Sequence, residues 1–135
     1  MISSITNQGT VRFMCYQGAM NSDMFLKFLK RLVKDSSKKI FLVVDNLPVH
    51  HSYPVKTWLE KNSDKIELFF LPSYSPERNP DEYLNRDLKQ TISSKPPARN
   101  GKQLQEQVQT HMRSIQKIPV RVKTYFKNPN VLYAT

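Results

Sequence analysis

Short apolar runs alternate along the chain with segments in which apolar residues recur every three or four positions, and this alternation predicts strands interleaved with helices. Residues 2–6 and 10–16 are β-leaning runs on either side of Asn7-Gln8-Gly9, which reads as a hairpin turn, and Gly18 closes the second strand. From Asn21 or Ser22, both suited to a helix N-cap, Phe25, Phe28, Leu29, Leu32 and Val33 fall at helical spacing. Lys27, Lys30, Arg31 and Lys34 take the opposite side. Residues 40–44 form an unbroken apolar run ending at Asp45, the pattern of a strand buried on both faces. A second helix is predicted over residues 52–62, with Val55, Trp58 and Leu59 on one side, and another strand over residues 66–71. After the turn-rich PSYSPERNP, Asn79-Pro80 opens a helix carrying Glu82, Tyr83, Leu84, Leu88 and Lys89. Beyond the loop SSKPPARNG, residues 102–117 place Leu104, Val108, His111 or Met112, and Ile115 at helical spacing. Pro119 interrupts, a short helix follows to Phe126, and residues 128–135 read as a tail.

The resulting order, β-β-α-β-α-β-α-α, predicts an α/β fold whose helix-separated strands lie parallel in one sheet. Composition narrows the class. The chain has 135 residues, a net charge of +10 and a single cysteine, Cys15. One cysteine leaves no internal disulfide framework and no cysteine-based zinc site. No run approaches the roughly 20 apolar residues that span a bilayer, and the N-terminus does not resemble a secretion signal, so no membrane is expected and the expected setting is cytoplasmic. Residues 83–135 hold ten Lys and Arg against two Asp and Glu, and therefore carry most of the excess charge. Such a block attracts phosphate backbones, although a solvated lysine-rich surface has the same composition.

In open α/β sheets functional groups gather at the carboxyl ends of strands, which singles out Asp45. Glu82, in the first turn of the helix opened by Asn79-Pro80, is the second candidate. Two such carboxylates offer the oxygen ligands that a hard divalent cation requires. The same residues also fit a turn at Asp45-Asn46 and a helix-capping acid at Glu82.

The wording of the segments goes further. VVDNLPVHHS and IELFFLPSYSPERNPDEYLNRDLK closely resemble the two signatures of the IS630/Tc1/mariner superfamily of transposases, DDE endonucleases with an RNase H-like fold. Asp45, Asn46 and His50 match the first signature, VDN followed by a His. Leu71, Pro72, Tyr74, Ser75, Pro76, Asn79, Pro80 and Glu82 match the second, of the form LPPYSPxLNPIE. The resemblance implies DNA transposition by a metal-dependent endonuclease and strand transferase that uses three carboxylates and two Mg²⁺ or Mn²⁺ ions. Asp45 would be its second Asp and Glu82 its final Glu, both catalytic and metal-binding; the neighbouring Asp81 does not match. Asn46 and His50 would support the site, and Arg86, Lys89, Lys95, Arg99 and Lys102 would follow the DNA backbone. His51 has no match.

One departure matters. No acidic residue precedes Asp23, so the family's first Asp and the central strand that bears it are missing, which should leave a gap in the sheet or expose strand edges. Residues 1–127 are expected to form a partial DDE domain, basic and helical from about residue 83, with 128–135 as tail. Alone, the chain is expected to bind DNA with weak or no cleavage; a homodimer is expected in the complete transposase, together with an N-terminal portion encoded upstream. The alternatives are a non-catalytic DNA-binding or partner-binding transposase remnant, and a decayed reading frame without a stable product.

Overall fold

The computed structural model describes residues 1–73 and 75–134, and divides them into two compact units. The first unit comprises residues 1–15 and 77 onward; the second comprises residues 16–76.

In the first unit, strands β1 (Ile2–Ile5) and β2 (Val11–Met14) form an antiparallel hairpin in the register Ile2↔Met14 and Ile5↔Val11. The turn closes through Thr6 N–H to the Thr10 carbonyl and Gly9 N–H to the Thr6 carbonyl, both 3.0 Å. Gly9 adopts φ +94°, and a Cβ there would lie 2.6 Å from the Pro119 carbonyl oxygen, so both the turn and the close approach require glycine. Three helices complete the unit: α3 (Asp81–Ser93), α4 (Gly101–Gln116) and α5 (Pro119–Thr124), with 3-10 turns at Tyr125–Lys127 and Pro129–Ala134. Asn100 caps α4 by accepting from Gln103 N–H at 2.8 Å. Val11, Leu84, Met112, Ile115, Val122, Tyr125 and Phe126 form the core. Leu104, expected on the inner side of α4, is 44% exposed; the buried stripe is His111, Met112 and Ile115, in the helix's second half. Val131, in the segment read as tail, is fully buried.

The second unit contains α1 (Ser22–Lys34), β3 (Ile40–Val44), a 3-10 turn at Pro48–His51, α2 (Tyr53–Lys61) and β4 (Ile66–Phe70). Asn21 caps α1, accepting from Met24 N–H at 2.9 Å, and Phe25, Phe28, Leu29 and Leu32 are its buried stripe. The starts of α1 and α2 are tied by Ser22 Oγ donating to Ser52 Oγ at 2.8 Å. β3 and β4 pair in parallel from Ile40↔Ile66 to Val44↔Phe70.

The strands form two separate two-stranded sheets, β1-β2 and β3-β4, rather than the single sheet that the order of elements predicts. β3 is also not buried on both faces. Ile40, Leu42 and Val44 are half-buried, whereas Phe41 is 63% and Val43 39% exposed. The apolar run is continuous, but a lone strand pair has cover on one face only, and alternate side chains on the other meet solvent.

Candidate functional site

Asp45 follows the last residue of β3, and the ladder runs one step further through Leu71 N–H to the Val44 carbonyl at 2.9 Å. The 3-10 turn that comes next brings both histidines back onto Asp45-Asn46. His50 Nδ1 lies 2.5 Å from the Asp45 carbonyl oxygen; a carbonyl only accepts, so Nδ1 carries the proton. The His50 ring is buried and packs on Phe25, with centroids 4.5 Å apart. Burial pushes the His50 imidazole below its ordinary pKa, outweighing the Asp45 carbonyl bond and the Asp45 charge, which pull the other way. His51, unmatched in the signature, is bonded through Nε2 to Asn46 Oδ1 and stacks on Phe70 at 4.1 Å. Asn46 Nδ2 in turn donates to Ser73 Oγ at 3.2 Å.

The second candidate stands at the start of α3 in the other unit. Asn79 Oδ1 accepts from Asp81 N–H at 3.0 Å, and the Asn79 carbonyl accepts from Glu82 N–H, also at 3.0 Å, so the Asn-Pro pair opens the helix as expected. The two adjacent acids then part. Both Asp81 oxygens face Ser3 Oγ, at 2.8 and 3.0 Å. Among the described residues no hydrogen bond or ion pair engages the half-buried Glu82 carboxylate. Glu82, Arg86 and Lys89 occupy positions i, i+4 and i+7 of α3, a single face. Arg86 lies over the Tyr83 ring at 5.3 Å. Lys95 and Arg99 lie in the α3-α4 loop and Lys102 in the first turn of α4. All five basic residues are exposed.

Asp87, one turn past Tyr83 on α3, is a residue that the pattern did not single out. It accepts from Arg121 Nη2 at 2.7 Å and Nε at 3.0 Å, and from the Tyr125 hydroxyl. Burial alone would raise the Asp87 carboxyl, but these bonds and the Arg121 charge together hold it below the ordinary value. Burial and the bond to Asp87 push the Tyr125 phenol up. Separations of 34 and 38 residues left no periodic signal for this cluster.

Among the described residues no three His, Cys, Asp or Glu side chains come together as a metal site. In kind, the carboxylates of Asp45 and Glu82 suit a hard divalent ion; in number, they are two. Tyr74, within the second signature, lies outside the described residues.

Comparison with known proteins agrees with the signatures. A family model described as DDE superfamily endonuclease matches residues 1–105. The insertion element IS630 uncharacterized 39 kDa protein of Shigella sonnei is 31% identical over 121 residues, which cover 87% of this chain and 35% of that protein. The chain thus spans about a third of the length of that relative. With more than three quarters of its residues inside the family match and both signatures in place, the chain belongs to the DDE endonuclease superfamily, and it is similar to the IS630 protein over most of its own length.

Proposed function

We propose that the chain is part of the RNase H-like catalytic domain of an IS630-type transposase, acting on DNA, with Asp45 and Glu82 as ligands of Mg²⁺ or Mn²⁺. The observation that carries this reading is the placement of the signature acids: Asp45 at the carboxyl end of a strand, and Glu82 unengaged among the described residues at the head of a helix whose same face bears Arg86 and Lys89. The separate antiparallel hairpin and parallel pair support the fold, since these are the strand pairs that such a sheet has besides its first strand. Ions bound there would lower the pKa of an attacking water or 3′-hydroxyl and stabilise the leaving oxygen. The protein's own side chains supply hard oxygen donors, hold the Asp45 loop through His50 and Asn46, and grip phosphates with Arg86, Lys89, Lys95, Arg99 and Lys102. In the longer transposase we expect a third carboxylate from an N-terminal portion, assembly as a homodimer, and work on cytoplasmic DNA. No described helix is long and apolar enough to cross a membrane.

With two of three carboxylates among its 135 residues, the chain alone should bind duplex DNA and cleave it weakly or not at all. Incubation with nicked and intact duplex in Mn²⁺ checks this. Retarded, uncut DNA is the expected outcome; robust cleavage abolished by Glu82→Gln would overturn the inactivity while keeping the role of Glu82. Should DNA affinity persist and no variant of the longer transposase at Asp45 or Glu82 alter cleavage, the chain is a non-catalytic DNA-binding remnant.

A further inference from the structure

The adjacent histidines address two different parts of one dipeptide. His50 holds the Asp45 main-chain carbonyl, from a buried position against Phe25. His51 holds the Asn46 side chain and is itself fixed by stacking on Phe70, at the end of β4. The Asn46 amide has a second anchor, Ser73 Oγ, to which Nδ2 donates at 3.2 Å. With Nδ2 directed to Ser73, Oδ1 faces His51 and accepts, so His51 carries its proton on Nε2, the opposite tautomer to His50. Ser73 is also the one position at which LPSYSP departs from the signature LPPYSP, and a proline there has no side-chain acceptor. A clamp therefore runs from Phe70 through His51 and Asn46 to Ser73, and joins the segment after β3 to the segment after β4.

We propose that His51 and Ser73 are positioning residues for Asp45, acting through the Asn46 amide. The inference rests on the reading of Asp45 as a metal ligand. Outer partners that orient a ligand typically change metal affinity by about 10–100-fold when removed. The clamp acts one residue away from Asp45, so the lower end of that range applies.

The test is a Mn²⁺ titration of the ¹⁵N-labelled 135-residue chain, following paramagnetic broadening of the Val44 and Asp45 amide signals. Asp45→Asn should abolish the specific broadening. His51→Ala should raise the half-saturating Mn²⁺ concentration about tenfold, and His51→Gln, whose Nε2 amide can still donate to Asn46, should restore it. Ser73→Ala, at an exposed loop position that leaves the core untouched, should raise it by a smaller factor. If Asp45→Asn abolishes broadening while His51→Ala and Ser73→Ala leave the midpoint unchanged, the positioning role is overturned and the metal reading stands. Unaltered broadening in Asp45→Asn would overturn the metal reading and the positioning role with it. Should His51→Ala unfold, the Ser73→Ala and His51→Gln arms decide: a raised midpoint in the first and an unchanged one in the second support the clamp, and the reverse overturns it.

Discussion

Adjacent residues of identical charge can have unrelated tasks, and Asp81 and Glu82 show how a structure separates them. Both lie in the first turn of α3, where a carboxylate is favoured by the helix dipole. Asp81 spends its oxygens on Ser3 of β1, which fastens the helix to the hairpin; Glu82 has no such engagement among the described residues. Replacing each acid in turn should therefore divide stability from function. Asp81→Ala should cost about 1–2 kcal/mol of unfolding free energy, the cost of breaking a hydrogen bond to a charged group and losing a first-turn acid. Glu82→Ala, which loses only the first-turn charge and no hydrogen bond, should cost less, about 0.3–0.5 kcal/mol. Urea denaturation followed by circular dichroism measures both, and equal losses would mean that Glu82 has a structural partner. The resemblance to the second transposase signature singles out Glu82 over Asp81, which does not match it. The reason that Asp81 is occupied, a serine 78 residues away, is a tertiary fact with no local signature, and so is the bond between Asn46 and Ser73.

Helices were legible because their signals are local. The α1 stripe, its Asn21 cap and the start of α3 after Asn79-Pro80 all follow from residues within one or two turns of each other. Strand context was less so. A run such as IFLVV specifies a strand, but whether its second face is covered depends on elements far away in sequence, which is why Phe41 and Val43 were expected inside and are exposed. The α4 stripe was misplaced toward Leu104 for a related reason: spacing sets a periodicity, and the neighbours set which half of the helix is covered. That covered half includes His111, whose Nε2 is buried without a hydrogen-bond partner among the described residues. Burial pushes the His111 imidazole below the ordinary value of 6.5, aided by the charges of Arg121 and Lys95, while Asp87 opposes the shift. A depressed histidine favours the neutral form in the folded state, so its contribution is complete above the unfolded value of 6.5 and is lost as pH falls from there toward the folded pKa. Asp87, depressed below 3.8, adds a second loss only in stronger acid. Thermal melts at pH 7 and pH 5 should show stability declining with acid, and His111→Leu should shrink that decline while leaving Asp87 ionised over the same interval. An undiminished decline in the variant would assign it to other groups.

On the scale of the molecule, the excess of positive charge is distributed in a way that composition only partly conveys. Residues 83–135 carry ten basic side chains against two acidic ones. Arg121 is tied to Asp87, whereas Arg86, Lys89, Lys95, Arg99 and Lys102 are exposed, with no ion-pair partner among the described residues. Two of these five share the Glu82 face of α3, and the rest continue through the loop into α4. A solvated surface and a phosphate track predict different responses to salt. Each cation that neutralises a phosphate contributes about −0.9 to the slope of log affinity against log salt, so five contacts would give a slope near −4 to −5. Changing Arg86 and Lys89 together to Gln should flatten the slope by about two and weaken binding to unrelated duplexes equally, because phosphate contacts carry no sequence information. Lys27→Gln with Lys30→Gln, on the exposed side of α1 in the second unit, removes the same charge from residues outside the five and should leave the slope unchanged. Fluorescence anisotropy on two unrelated duplexes over a series of salt concentrations measures all three proteins. Equal flattening by both double variants would show that net charge attracts DNA without a defined path, whereas flattening confined to Arg86 and Lys89 would place the backbone along α3, whose first turn bears Glu82.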